Sequence, residues 1–302
     1  MNAADTLSPR IVHYAAASSY RCAARRWDVS APRGRVVLLH GIISHGGWYL
    51  KSCRALAAAG FETHFLERRG SGLNVVARGD VDCYQTWIED VHLYLKSLGA
   101  DLPRLLLGVS WGGKLALAVA KRAPHEVSGV GMLCPGLYAP RGPNAVQRKL
   151  LAVATAVGLG ARQVTIPLQD PALFTDNPRW QDYIRSDPLV LRKISLRFAH
   201  HDVQLDRYLD DAAATVQTPA LLMLAGRDHI SDNERLRQFF ATLQSPNKTL
   251  IEYPDAAHTL EFELGAGAYL TDLTGWLLGK NGTPSAVSGQ SSPSPPAPIG
   301  GG

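Results

Sequence analysis

Short apolar runs alternate along this chain with stretches whose apolar residues recur every three or four positions. The runs lie at 35–40 (RVVLLH), 61–66 (FETHFL), 104–109 (RLLLGV), 127–134 (VSGVGMLC), 220–225 (ALLMLA) and 249–253 (TLIEY). Several are apolar on nearly every residue, as a strand covered on both faces requires. The gaps at 48–59, 80–98, 112–123, 234–243 and 268–278 read as helices. In 80–98, Tyr84, Trp87, Ile88, Val91, Leu95 and Leu98 form one stripe. This alternation predicts an α/β fold: a mostly parallel sheet with helices on both faces.

The interval 136–217 breaks the rhythm. It holds no convincing strand, and prolines at 140, 143, 167, 171, 178 and 188 punctuate short amphipathic pieces. It is expected to be a helical cap or lid inserted between two strands. The core is then 1–135 together with 218–280. The last stretch, 281–302, is almost entirely Gly, Ser, Pro and Ala, carries no charged residue, and reads as a disordered tail. The first dozen residues are expected to be poorly ordered as well.

Composition narrows the class. A chain of 302 residues can bury a large core without disulfides or a structural metal. The net charge of +5, from 31 basic and 26 acidic residues, comes without a long Lys/Arg run, so nucleic acid is not an expected partner. Cys22, Cys53, Cys83 and Cys134 contain no Cys-x-x-Cys pair, which argues for reduced thiols and against a zinc site. The N-terminus lacks a secretory pattern, and the longest run of apolar and small residues, 150–161, falls short of the ~20 residues a membrane span needs. A soluble cytoplasmic protein is expected; the pattern says nothing of its oligomeric state.

The sharpest chemical signal is Gly108-Val109-Ser110-Trp111-Gly112-Gly113, between the run RLLLGV and a helical pattern. A serine in Gly-x-Ser-x-Gly, on a sharp turn from strand to helix, stands clear at the sheet edge as a candidate nucleophile. A hydroxyl attacks only when a base takes its proton and a third group orients that base. Asp228 follows ALLMLA and His258 follows TLIEY, so both sit past the carboxyl ends of strands, where an open sheet builds its site. Asp232 and Asp255 are alternative acids. His229 adjoins Asp228 and should face away; His200-His201-Asp202 suggests a metal only if other ligands join it. His13, His64, His92 and His125 read as structural. The loop 40–49 (HGIISHGGWY) can offer the Ile42 N–H, and the elbow the Trp111 N–H, to an oxyanion. His40 and His45 read as loop braces.

Together these pieces resemble the α/β-hydrolase fold, and within it the monoacylglycerol lipase/lysophospholipase-like group related to serine aminopeptidases. The resemblance spans residues 20–279. It rests on His40–Tyr49, Arg69-Gly70-Ser71-Gly72, the elbow, Ser186-Asp187-Pro188, the Gly-x-x-Asp loop of Asp228 and the final histidine. It implies that Ser110 is the nucleophile, Asp228 the orienting acid and His258 the base. Ile42 and Trp111 would be the oxyanion donors, with Gly41 and Trp111 against the substrate. It further implies hydrolysis of a small-molecule acyl ester, such as a monoacylglycerol or lysophospholipid, with no cofactor and no metal. Peptidase, acyltransferase or perhydrolase chemistry on the same triad, and a non-catalytic scaffold for a hydrophobic ligand, remain alternatives. Two departures stand out: Val109 and Trp111 replace the histidine and methionine common in such elbows, and Glu67-Arg68-Arg69 replaces an aspartate-x-arginine segment. The apolar stretch 150–157, preceded by Gln147-Arg148-Lys149, either packs against the core or faces an acyl chain or transient membrane surface.

Overall fold

The structure, a computed structural model, describes residues 8–279. The chain opens with β1 (Arg10–Ala15) and β2 (Arg21–Trp27), then runs through β3 (Arg35–Leu39), α1 (Leu50–Ala58), β4 (Glu62–Leu66), α2 (Tyr84–Ser97), β5 (Arg104–Val109), α3 (Trp111–Arg122) and β6 (Gly129–Leu133). After β6 come α4 (Ala145–Ala156), β7 (Gln163–Thr165), α5 (Pro178–Ser186), β8 (Lys193–Ser195), α6 (Leu196–Tyr208) and the short α7 (Ala212–Thr215). The main sheet resumes with β9 (Ala220–Ala225), followed by α8 (Asn233–Thr242), β10 (Lys248–Tyr253) and α9 (Ala266–Leu277).

The main sheet has the order β1-β2-β4-β3-β5-β6-β9-β10. Pairing is parallel from β4 to β10, while β1–β2 and β2–β4 are antiparallel. Right-handed crossovers then decide the layers. The step from β3 to β4 runs opposite to the steps from β4 to β5 and from β5 to β6, so α1 lies on one face, where it meets α9, and α2 packs beside α3 on the other. Covered on both sides, β4, β6 and β9 are buried at every residue; β6 and β9 accordingly read as almost wholly apolar, whereas β4 buries Glu62, Thr63 and His64.

The expected parallel strands are all present, but four others are not foreseen. β1 and β2 occupy 10–27, so disorder does not extend through the first dozen residues. The exposure of the edge strand β1 and the arginines at 21, 25 and 26 that interrupt β2 hide them from an apolar search, although Cys22, Ala23, Ala24 and Trp27 of β2 are buried. Within 136–217, β7 and β8 form a separate antiparallel pair of three-residue strands, so the interval is not without strand. The helix α4 also departs from burial against the core: it has no buried residue, and Val146, Leu150, Val153 and Val157 stand 59–67% exposed along one stripe. The stretch 281–302, read as a tail, lies outside the described residues.

Candidate active site

Ser110 occupies the turn between β5 and α3 with φ 53° and ψ −123°, a left-handed conformation that costs energy for any residue with a Cβ. The turn is over-determined by its surroundings. The Ser110 N–H donates to the Leu133 carbonyl at 2.9 Å, and its own carbonyl accepts from Gly113 and Gly136 at 2.8 Å. Only glycine fits beside it: a Cβ on Gly108 would lie 2.1 Å from the Gly112 carbonyl oxygen, and one on Gly112 would lie 2.3 Å from that of Leu39.

Past β9, Asp228 accepts the N–H groups of Ile230 (2.7 Å) and Ser231 (3.1 Å) on Oδ1. Its Oδ2 meets His258 Nδ1 at 2.7 Å, with both side chains buried. Burial pushes the Asp228 carboxyl upward, but His258 and the two backbone donors outweigh it and hold the group below its ordinary value. An ionised Asp228 fixes the His258 tautomer with the proton on Nδ1. That leaves Nε2 as the acceptor; it is buried and makes no hydrogen bond among the described residues. The Ser110–His258 hydrogen bond is thus not closed in this structure, a common state for such sites without substrate.

On the same edge of the sheet, the loop after β3 brings Gly41 against the elbow, where an added Cβ would lie 3.2 Å from Ser110 Cβ. His40 braces this loop. It is buried, its Nδ1 meets the Gly41 carbonyl at 2.8 Å and its Nε2 accepts the Arg68 N–H at 2.9 Å. Burial and the nearby Arg68 charge push its pKa well down, so it is neutral. His45 is braced likewise: Nδ1 accepts from the Gly47 N–H and Nε2 donates to Asp187 at 2.7 Å, an acid that also takes the Trp48 indole N–H at 2.8 Å. Asp187 follows α5, so this contact ties the insertion to the loop.

A cavity of about 780 Å³ opens on Ser110, Ile42 and Trp111. Its wall is mostly apolar, with Leu137, Leu150, Ile166, Leu168, Ile194 and Phe239. One polar strip crosses it: buried Lys114 bonds Asp202 at 2.6 Å and Asp206 at 2.8 Å, and the Trp111 indole N–H donates to Asp202 at 2.6 Å. Burial opposes the Lys114 charge, but the two aspartates prevail and raise its pKa.

The rival residues have other places. Asp232 caps α8 by accepting the Arg235 N–H, Asp255 is exposed and offers its backbone carbonyl to Arg227, and His229 is exposed. His64 is buried against Tyr94 at 2.8 Å and His92 faces Glu89. Asp202, raised with His200 and His201 as a metal signal, instead holds Trp111 and Lys114. Sequence reasoning missed Arg68, Lys114, Asp187 and Asp202 as supports of the site. Trp111 was expected as an oxyanion donor through its N–H and Arg68 stood inside the Glu67-Arg68-Arg69 segment, with nothing to say that the two meet.

The sequence model of the serine aminopeptidase, S33 family matches residues 30–265. A monoacylglycerol lipase of Mycolicibacterium smegmatis is 28% identical over 251 residues, covering 82% of this chain and 89% of that protein. A monoglyceride lipase of Homo sapiens is 26% identical over 245 residues, covering 80% of each chain. Among solved structures, the monoacylglycerol lipase of Paleococcus ferrophilus superposes with a TM-score of 0.77 at 25% identity, covering 85% of this chain and 98% of that one.

Proposed function

The chain belongs to the serine aminopeptidase, S33 family of α/β-hydrolases and is a carboxylic ester hydrolase; on that premise we propose that it cleaves a monoacylglycerol or lysophospholipid-like ester through an acyl-enzyme formed on Ser110. The observation that carries the reading is a strained elbow serine lining a mostly apolar cavity of about 780 Å³, a size that suits one acyl chain.

In this reading His258 Nε2 takes the Ser110 proton as Oγ attacks the ester carbonyl. Asp228 keeps the other ring nitrogen protonated and stabilises the imidazolium. The N–H groups of Ile42 and Trp111 receive the oxyanion. Collapse of the tetrahedral intermediate breaks the bond to the alcohol, which leaves with the proton from His258. Water, deprotonated by the same ring, then attacks the acyl-enzyme; the acid departs and Ser110 recovers its proton. These residues complete the cycle by themselves, and the relatives named lipases support an ester as the bond cleaved.

The exposed stripe of α4 supports transient contact of the insertion, acting as a cap, with a lipid surface that delivers such substrates. Among the described residues no helix is long and apolar enough to cross a membrane. The four free cysteines fit a reducing cytoplasm.

The test is turnover of p-nitrophenyl esters of increasing chain length and of monoacylglycerol, with wild type beside Ser110→Ala. We expect the variant to lose at least about three orders of magnitude in kcat, and wild type to prefer a medium or long chain. A Ser110→Ala protein with wild-type turnover would overturn the reading.

A further inference from the structure

Arg68 is nearly buried, and its guanidinium does two things at once. Nη1 donates to the Gly41 carbonyl at 3.2 Å and Nη2 to the Ile42 carbonyl at 2.8 Å. The plane of the group lies over the Trp111 ring, 4.6 Å from its centroid, and near Phe198 at 5.5 Å.

The Gly41 carbonyl and the Ile42 N–H belong to one peptide unit. That unit is planar and trans, so its C=O and N–H point in opposite directions. Whatever holds the carbonyl therefore aims the N–H. Two donors hold it, His40 Nδ1 at 2.8 Å and Arg68 Nη1, while the Arg68 Nη2 bond fixes the next peptide. Trp111, whose own N–H is the second oxyanion donor, has its ring wedged between Arg68, Trp87 (4.9 Å, edge-on) and Phe198, with its indole N–H on Asp202 of α6. A single guanidinium thus touches the peptide of one donor and the side chain of the other. Its fork geometry is what allows both carbonyls to be reached while the face stays free to stack.

We infer that Arg68 is a positioning residue for both oxyanion donors, joined through the Trp111 ring to Asp202 of the insertion, so that docking of α6 and the geometry of the oxyanion hole are set together. The inference rests on the hydrolase reading above. It also gives a role to the tryptophan at 111 that departs from the family pattern: with the arginine at 68 it forms a stack that neither supplies alone.

The experiment measures Arg68→Met, Arg68→Lys, Trp111→Phe and the double variant Arg68→Met/Trp111→Phe on a soluble p-nitrophenyl ester. Functional sites are counted by titration with a fluorophosphonate, so turnover is read per competent site. Affinity for a trifluoromethyl ketone, whose oxyanion occupies the hole, is measured on each. We expect Arg68→Met to lower kcat by about tenfold to a hundredfold, as a displaced rather than a removed donor should, with KM within about threefold. Ketone affinity should fall in proportion. Arg68→Lys, with the charge but one ammonium for two carbonyls, should recover part of the loss, and it carries the test if the methionine variant does not fold. The double variant should cost no more than about the larger single change, since coupled sites are not additive.

Wild-type kcat and ketone affinity per titrated site in Arg68→Met, or full additivity in the double variant, would overturn the inference while a dead Ser110→Ala leaves the hydrolase reading standing. Turnover surviving in Ser110→Ala would overturn both.

Discussion

A methyl group placed on Gly41 would lie 3.2 Å from Ser110 Cβ, 3.6 Å from its Oγ and 3.1 Å from Ser44 Oγ. The loop and the elbow are in close contact here, and in the proposed mechanism the distance between them sets where an oxyanion can sit. Gly41→Ala should therefore lower kcat/KM by on the order of tenfold to a hundredfold, the cost of displacing reacting groups by a few tenths of an ångström to 1 Å, with only a small fall in Tm. Steady-state kinetics beside thermal unfolding checks this; equal kinetics would show that the loop yields freely. At this scale Ser110, Asp228 and His258 could be read from the chain because each follows an apolar run at a place where a strand must end. Arg68 and Asp202 could not. Their partner Trp111 lies far from both in sequence, and no periodicity links an arginine in one loop to a ring in another.

Among the elements, α5 delivers Asp187 to the loop after β3, where it receives His45 and the Trp48 indole and, through Oδ1, the Leu189 N–H at 2.9 Å. Burial pushes this carboxyl up, but His45 and Trp48 prevail and its folded pKa is lowered. A lowered folded value means that the ionised form favours the native state. The stabilisation is present above the unfolded value of about 3.9 and is lost as pH falls through the still lower folded value. Asp187→Asn should thus destabilise by about 1–3 kcal/mol, the range for spoiling buried hydrogen bonds to a charged group. Urea unfolding should find that gap steady from about pH 7 to pH 5 and closing below about pH 4. A gap that does not change with pH would mean that the charge of Asp187 contributes nothing. Most central strands were legible because burial on both faces favours apolar residues, although β4 buries Glu62, Thr63 and His64 as well. β1, β7 and β8 were not, since edge and three-residue strands are held by backbone pairing that leaves little mark on side-chain choice; β2, paired on both sides, was missed because three arginines interrupt its apolar residues.

Over the whole molecule, the insertion is attached to the core by polar contacts near the site: Asp187 with His45 and Trp48, Asp202 with Trp111 and Lys114, and the Leu191 N–H on the Ile43 carbonyl at 2.9 Å. The helix α4 is shared between the two sides: Leu150 lines the cavity, while Val146, Val153 and Val157 face outward. Val146 and Val153 do not line the cavity, so Val146→Glu/Val153→Glu separates surface contact from chemistry. We expect the double variant to lose most of its binding to phospholipid vesicles and its activity on monoacylglycerol held in them, while turnover of a soluble short-chain ester stays within about twofold. Co-sedimentation with vesicles and the two assays decide it; unchanged vesicle activity would remove the lipid-surface role from α4.

The chain by itself determined the alternation of strand and helix, the place of the elbow and the order of the three polar groups around it, because each is written in local patterning: a period of two or 3.6, a glycine where a Cβ would clash, a polar residue where an apolar run stops. Only the tertiary structure decided that α4 leaves Val146 and Val153 in solvent, that Asp187 and Asp202 fasten the insertion to the site, and that Arg68 lies on Trp111. Those outcomes depend on which surfaces meet after the chain closes on itself, and contact between residues far apart in sequence is a property of the packed whole rather than of any segment.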